Sequence, residues 1–473
     1  MIKRISSRFE FRNIGQGMFY TGQIADFKFV YDCGSISGKK MINAAINEYK
    51  CEHDLKPGIK GKLNMLVLSH FDMDHVNGVT ELLNAFHVDT VVIPYLYPIE
   101  RLGLIVKYNN KKYRNLVKDP IVYFSQFNVK QIILLDRNYL SNQDQTLNNN
   151  FIKPSDSENL KIDNDDLLKA FDNLPDSDAK EEIKKIENLN HPSKQVQIKI
   201  KKRGSVIISD IWEFLFFNYD STPDVLKTLT TCATVDEERL FDKQELLDLL
   251  ENEQINIIKE QYNKMIKKFK NSTNIKNINN TSIVLNHMPI NYEYASTIAY
   301  LNKKREETDL FPENHKITNQ NQINSINAFR LFKESNSCTS LNYSRYTGTL
   351  LFGDINIGED LEQITSFFDH KILELSIISV PHHGSKNNWD SKFLKILDTK
   401  KKEYLYPTSW VVSCGYKNNF GHPDQIVLNQ FMKNNKNQLF INNELYAIHF
   451  KLLIWINPQK IYSSTKIIDG LKI

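Results

Sequence analysis

Short apolar runs separated by turns dominate the first hundred residues: FKFVYDCG (27–34), MLVLSH (65–70) and TVVIP (90–94), the last after the helical pattern GVTELLNAF. Such continuous runs predict buried strands. From about 141 to 204 the texture changes to Asn, Asp, Ser and Lys (SNQDQTLNNN, DNDDLLKAFDNLPDSDAKEEIKK), which predicts an insertion, part helix and part loop. SVIISDIWEFLFFNY (205–219) returns to β-rich sequence. Over 222–270 apolar residues recur at three- and four-residue spacing, the pattern of a helical cap. Strand signals resume at TSIVL (281–285), GTLLFGD (348–354), LSIISVPHH (375–383), SWVVSCG (409–415) and LYAIHFKLLIWI (445–456). The pattern predicts one α/β domain split by insertions. Its first half is 1–140, followed by a polar insertion (141–204), a core strand region (205–219), a helical insertion or cap (220–278) and the second half (279–473).

Composition narrows this picture without naming a partner. The 473 residues leave room for two or three average domains, but the pattern assigns the excess to the two insertions. With 41% hydrophobic and 25% charged residues, wholesale disorder and a coiled coil are excluded. The net charge of +4 excludes a histone-like polycation, so any nucleic-acid surface must be local. Five cysteines, Cys33, Cys51, Cys232, Cys338 and Cys414, are widely spaced and form no C-x-x-C pair, which points to a reducing compartment. No run approaches the roughly 18 apolar residues that cross a bilayer, and the first residues lack a signal-peptide stretch. A soluble, cytoplasmic protein with no membrane partner is expected.

The sharpest chemical feature is SHFDMDHVNG (69–78), in which a buried strand delivers His70, Asp72, Asp74 and His75 into the loop past its end. His with Asp is the ligand mixture of a hydrolytic metal site. A solvated loop whose Asp74 or Asn77 caps the next helix would account for the same residues. Three further strand ends carry the same residue types, however: Asp354 after GTLLFG, His382 and His383 after LSIISVP, and His422 in NNFGHPDQ. Four such ends predict one shared metal centre.

NIGQG (13–17), YDCGS (31–35), SHFDMDHVNG, NNTSIVL (279–285), LLFGDI (350–355), VPHHGSK (380–386) and SCGYKNNFGHP (413–423) occur in the order found in metallo-β-lactamase-fold hydrolases. The chain resembles that family, and within it the soluble nuclease-like domain of competence DNA-uptake channel proteins, over roughly residues 8–100 and 279–430. The resemblance implies a four-layer αββα sandwich carrying helical insertions. It also implies two metal ions held by His70, Asp72, Asp74, His75, Asp354 and His382, with Asp354 bridging and His383 able to exchange roles with His382. Most of the wider superfamily reads H-x-H-x-D-H in the loop and has another His before the strand matching SIVL. Here Asp72 replaces the middle His, and Asn279 or Asn280 stands at the other position, as in the competence-type branch.

A carboxylate and an amide in place of two imidazoles make the site harder, which favours Mn²⁺ while leaving Zn²⁺ or Mg²⁺ open. Two metals about 3.5–4 Å apart would generate a hydroxide near neutral pH, with Asp74 helping to orient it. His422 is the candidate for contacting substrate or protonating a leaving group, and Lys386 and Ser385 are candidate phosphate contacts, with Asn280 also placed on the substrate side. Asp32 reads as a support for the ligand loop. Gly15 and Gly17 read as turn glycines, and His53, His87, His287 and His449 as ordinary histidines.

KYNNKKYRNLVK (107–118) carries Lys107, Lys111, Lys112, Arg114 and Lys118 with Tyr108 and Tyr113 between them, a composition suited to phosphate contact and base stacking. A solvated face would look the same. Together these features predict a metal-dependent phosphodiesterase or nuclease acting on DNA, with a protein partner admissible through the insertions. A small-molecule hydrolase of the same fold, for a cyclic nucleotide, lactone or thioester, and a metal-stabilised interaction module are the alternatives.

Overall fold

In the computed structural model the apolar runs assemble into two large mixed sheets. Apart from isolated positions, the structure describes residues 3–136, 196–218, 254–270, 282–303, 347–400, 408–433 and 437–456, with short pieces at 170–176, 234–235, 238–239, 249 and 340–343. In chain order the strands are β1 (Lys3–Phe11), β2 (Tyr20–Ile24), β3 (Phe27–Tyr31), β4 (Gly61–Val67), β5 (Phe86–Pro94), β6 (Gln131–Leu135), β7 (Gln197–Lys201), β8 (Gly204–Ile208), β9 (Trp212–Asn218), β10 (Thr234–Val235), β11 (Glu238–Arg239), β12 (Ile283–Pro289), β13 (Tyr294–Lys303), β14 (Ser340–Tyr343), β15 (Gly348–Leu351), β16 (Leu375–Ser379), β17 (Thr408–Ser413), β18 (Asn437–Asn442) and β19 (Tyr446–Ile456). The first sheet runs β14-β13-β19-β1-β2-β3-β4-β5-β6-β7 and the second β18-β17-β16-β15-β12-β9-β8. Pairing from β3 through β7 is parallel, as is pairing from β15 through β18, so each sheet has one parallel flank.

The sheets pack face to face through an aromatic core. Phe9 and Phe29 of the first meet Trp212 and Phe214 of the second, with ring centroids 5.7 and 5.1 Å apart. Helices cover the outer faces. On the first sheet lie α1 (Lys39–Cys51), α2 (Met73–Val76), α3 (Val79–Ala85), α4 (Pro98–Lys107), α5 (Lys111–Lys118) and α6 (Pro120–Ser125). The described end of the second insertion, α7 (Ile255–Lys270), adds Ile258 and Tyr262 to that apolar layer. On the second sheet lie α8 (Ile357–Phe368), α9 (Lys392–Lys400) and α10 (Gln425–Met432); Trp410 of β17 packs against Phe393 and Phe431. Burying rings of this size supplies most of the drive for such packing.

Three expectations change in detail. SVIISDIWEFLFFNY is a hairpin, β8 and β9, turning at Ser209 and Asp210, whose φ angles of 51° and 54° lie in the left-handed region. The segment 141–204 ends in β7, which extends the first sheet, so its last residues belong to the sheet. Residues 234–235 and 238–239, expected to be helical, form the small β10–β11 pair. Apart from these strands, α7 and the short pieces at 170–176, 249 and 254, both insertions lie outside the described residues. Among the described residues no helix is long and apolar enough to cross a membrane.

Candidate metal centre

The parallel strands of both sheets end at one place. β4 runs into Ser69 and His70, α2 carries Asp74 and His75, β15 leads to Asp354, and β16 leads to His382 and His383. Chain leaving the carboxyl ends of parallel strands is where α/β proteins build sites, because side chains from several strands converge there. Gly17 makes the convergence possible. Its φ is +138°, and a Cβ on it would lie 2.4 Å from the Gly34 carbonyl oxygen and 2.6 Å from that of Asp74. The NIGQG turn therefore packs directly beneath the ligand loop, and Met18 N–H donates to the Asp74 carbonyl at 3.2 Å.

Two groups of side chains could each hold a metal ion: His70, His75 and Asp354, and Asp74, His75 and His383, with donor atoms inside each group within 4.8 Å of one another. Asp354 is central. One oxygen lies 3.1 Å from His75 Nε2 and 4.0 Å from His383 Nε2, and the other lies 3.5 Å from His70 Nε2 and 3.7 Å from His382 Nε2. His75 Nδ1–H donates to the Asp32 carboxylate at 2.8 Å, and His383 Nδ1–H donates to the Ser413 carbonyl at 2.9 Å. Each bond fixes the ring so that Nε2 faces a carboxylate oxygen, 3.1 Å away for His75 and 3.2 Å for His383. A ring nitrogen and a carboxylate oxygen that close need a cation between them, a proton or a metal ion. His70 Nε2, His75 Nε2 and Asp354 Oδ1 are buried and face only one another, with no other hydrogen-bond partner among the described residues. Buried polar atoms are normally satisfied, so these residues fit a divalent metal.

The electrostatics mark the same centre. Burial would raise the Asp354 carboxyl, but His382, His75 and His70 hold it well below the usual range. Burial acts likewise on Asp74, where the His383 hydrogen bond and His75 prevail and bring it to about 2. Burial alone would lower His75, and the Asp354 and Asp32 carboxylates hold it well above its ordinary value. Around this set, Asp32 also accepts from Ser69 N–H and Oγ–H, each at 2.6 Å, as its supporting role requires. His382 and His383 both adopt left-handed backbone (φ 44° and 55°), a strain that persists only where surrounding packing dictates it.

Of the expected ligands, His70, Asp74, His75, Asp354 and His383 come together. Asp72 and His382 stand outside both groups. Asp72 turns to Lys107, whose Nζ donates to its two oxygens at 3.1 and 2.9 Å. The helix-cap account of the loop also fails: Asp72 occupies the cap position of α2 without a side-chain bond, and Asn77 binds the Ser35 backbone. Sequence reasoning missed Ser282, which stands 3.3 Å from His70 Nδ1 and accepts Asp354 N–H at 3.1 Å; only its place in NNTSIVL pointed to it.

The expected substrate contacts fare unevenly. His422 is half-buried, its ring 5.5 Å from that of His382; burial first, then His383 and His382, lower it to about 4, so it is neutral at pH 7 and is no imidazolium donor in this state. Lys386 is exposed and lies 3.8 Å from Asp424, while Ser385 is buried. Lys111 and Lys112 are exposed on α5, but Arg114 is buried and Tyr113 is in the core, its hydroxyl donating to the Phe71 carbonyl at 2.7 Å. On this amphipathic helix the sequence interleaves basic and aromatic residues, while the fold exposes Lys111 and Lys112 and turns Tyr113 and Arg114 inward. Asn280 lies outside the described residues.

No protein-family model matches the chain. No curated protein matches it either. Among solved structures the chain is similar to the metallo-β-lactamase fold protein YhfI from Bacillus subtilis, at 7% sequence identity and a TM-score of 0.31 over 93% of this chain and 98% of that one. A superposition that loose carries no argument about the site.

Proposed function

We propose that the protein is a metal-dependent hydrolase of the metallo-β-lactamase type that cleaves phosphodiesters, with DNA as the substrate. The observation that carries the reading is the pair of His/Asp groups sharing His75, whose inward nitrogens and the facing Asp354 oxygen have no other partner. The seven motifs in family order and the helix–sheet–sheet–helix layering support the same superfamily. His70, Asp74, His75, Asp354 and His383 would hold the metal, which when bound supplies Lewis-acid stabilisation of negative charge and acidifies water. The chain's own part is to fix tautomers through Asp32 and Ser413, to keep Asp74 anionic so that it can bind metal and orient the attacking water, and to offer the exposed Lys386, Lys111 and Lys112 to phosphate oxygens. With Asp72 paired to Lys107, these donors are three imidazoles and two carboxylates, which weakens the hardness argument for manganese over zinc.

Burial of Arg114 and Tyr113 removes two expected nucleic-acid contacts and so favours the second reading, a small-molecule hydrolase. Protein loaded with Mn²⁺, Mg²⁺ or Zn²⁺ is incubated with labelled single- and double-stranded DNA, RNA, a bis-aryl phosphodiester and a lactone, beside Asp74→Ala. DNA cleavage that Asp74→Ala abolishes is the expected outcome. Intact nucleic acid under every metal, with the small ester turned over, selects the second reading. Metal binding without turnover of anything selects the interaction module.

A further inference from the structure

We propose that Phe420 and His422 form a stacking platform for a nucleobase beside the metal centre, which narrows the substrate to a nucleotide-bearing phosphodiester. The inference rests on the hydrolase reading above and adds a binding site to it. Phe420 is 58% exposed, and of the phenylalanines and tryptophans among the described residues it alone is exposed. An exposed aromatic ring on a slack loop would mean little. This loop is braced. Phe420 N–H donates to the side-chain oxygen of the fully buried Asn418 at 2.7 Å, and the Asn418 amide donates to the His422 carbonyl. Asp424 N–H donates to the Gly384 carbonyl at 2.9 Å, and Gly384 has a φ of +81° where a Cβ would come within 2.7 Å of Pro423. The loop carrying the ring is thus locked to the segment that carries His382 and His383.

A chain of close neighbours runs from the carboxylate to the ring. His382 Nε2 is 3.7 Å from Asp354, the His422 ring is 5.5 Å from the His382 ring, and the Phe420 ring is 6.4 Å from that of His422, the two planes 13° apart. Beside the centre, the chain therefore presents an exposed aromatic face nearly parallel to an imidazole. Lys386, with a side chain 59% exposed, reaches the same loop at Asp424. Stacking on aromatic faces with an ammonium near the phosphate is how nucleic acids are held without sequence preference. A simple lactone or thioester offers no aromatic ring for this face.

Calorimetric titration of the metal-loaded protein with thymidine 5′-monophosphate and with 2-deoxyribose 5-phosphate, which lacks the base, tests the platform. The nucleotide binds wild type more tightly than the abasic sugar phosphate. Phe420→Ala weakens nucleotide binding roughly 5- to 100-fold and leaves the sugar phosphate unchanged, and Phe420→Tyr restores it. Equal affinities in wild type, no binding of either, or equal weakening of both by Phe420→Ala overturns the proposal. DNA cleavage without Phe420-dependent nucleotide binding leaves the hydrolase reading standing and removes the platform. Phe420-dependent binding in a protein that cleaves no phosphodiester does the reverse.

Discussion

Asp72 and Asp74 lie two residues apart and face different partners. Asp74 points at His383, whereas Asp72 receives the Lys107 ammonium on both oxygens, and this contact outweighs burial and holds Lys107 well above its ordinary pKa. A carboxylate already neutralised in this way is a poor competitor for metal. Metal affinity, read by calorimetry and elemental analysis, should therefore be nearly unchanged in Asp72→Asn, fall roughly 10- to 100-fold in Asp32→Asn through loss of the His75 support, and vanish in Asp354→Asn. If Asp72→Asn loses metal as completely as Asp354→Asn, Asp72 is a ligand after all. His287 makes the opposite case, a histidine with no part in the site. It lies in the aromatic core, 2.9 Å from the Tyr20 hydroxyl, and burial lowers it to about 3. At pH values between that and about 6.5 the unfolded chain binds a proton that the folded one does not, so stability falls as pH falls, by about 1.4 kcal/mol per unit. Urea denaturation at pH 7 and pH 4.5 should show wild type losing about 2–3 kcal/mol more than His287→Gln over that range. Equal losses would mean that the imidazole is already protonated in the fold.

At the scale of elements, what the sequence revealed follows from how each strand is solvated. β3, β4, β5, β12, β16 and β17 are buried or nearly so along their lengths, so each shows a short run of consecutive apolar residues, and the ends of β4, β16 and β17 located candidate site residues. β7, QIKIK, alternates at the sheet edge and carries Lys199 and Lys201 into ion pairs with Asp172 and Asp176, so it was indistinguishable from the polar insertion before it. The β8–β9 turn was hidden because Ser209 and Asp210 adopt positive φ where Asn-Gly or a glycine ordinarily marks such a turn. Side-chain direction was the other gap. Spacing brought Asp72 into the ligand loop and Arg114 into a basic stripe, but only the packing of α4 and α5 turns Asp72 to Lys107 and buries Arg114.

At the scale of the whole molecule, the metal groups join two sheets that otherwise meet through apolar contact. His70, Asp74 and His75 follow β4 of the first sheet, and Asp354 and His383 follow β15 and β16 of the second. An ion bound to both sets binds the folded chain and not the unfolded one, so it stabilises by mass action, about 4 kcal/mol at a thousand times its Kd. Thermal melts of metal-stripped protein should therefore show a Tm that climbs with the logarithm of added Mn²⁺ or Zn²⁺ and a chelator that reverses it, with Asp354→Asn insensitive to both. Because the ligands come from both sheets, hydrogen exchange should slow together at 68–78, 352–356 and 380–386 when metal is added. Protection confined to 68–78 would mean that the ion sits on the first sheet alone, and an equal Tm rise in Asp354→Asn would mean that it binds elsewhere; either result would remove the shared centre on which the hydrolase reading depends.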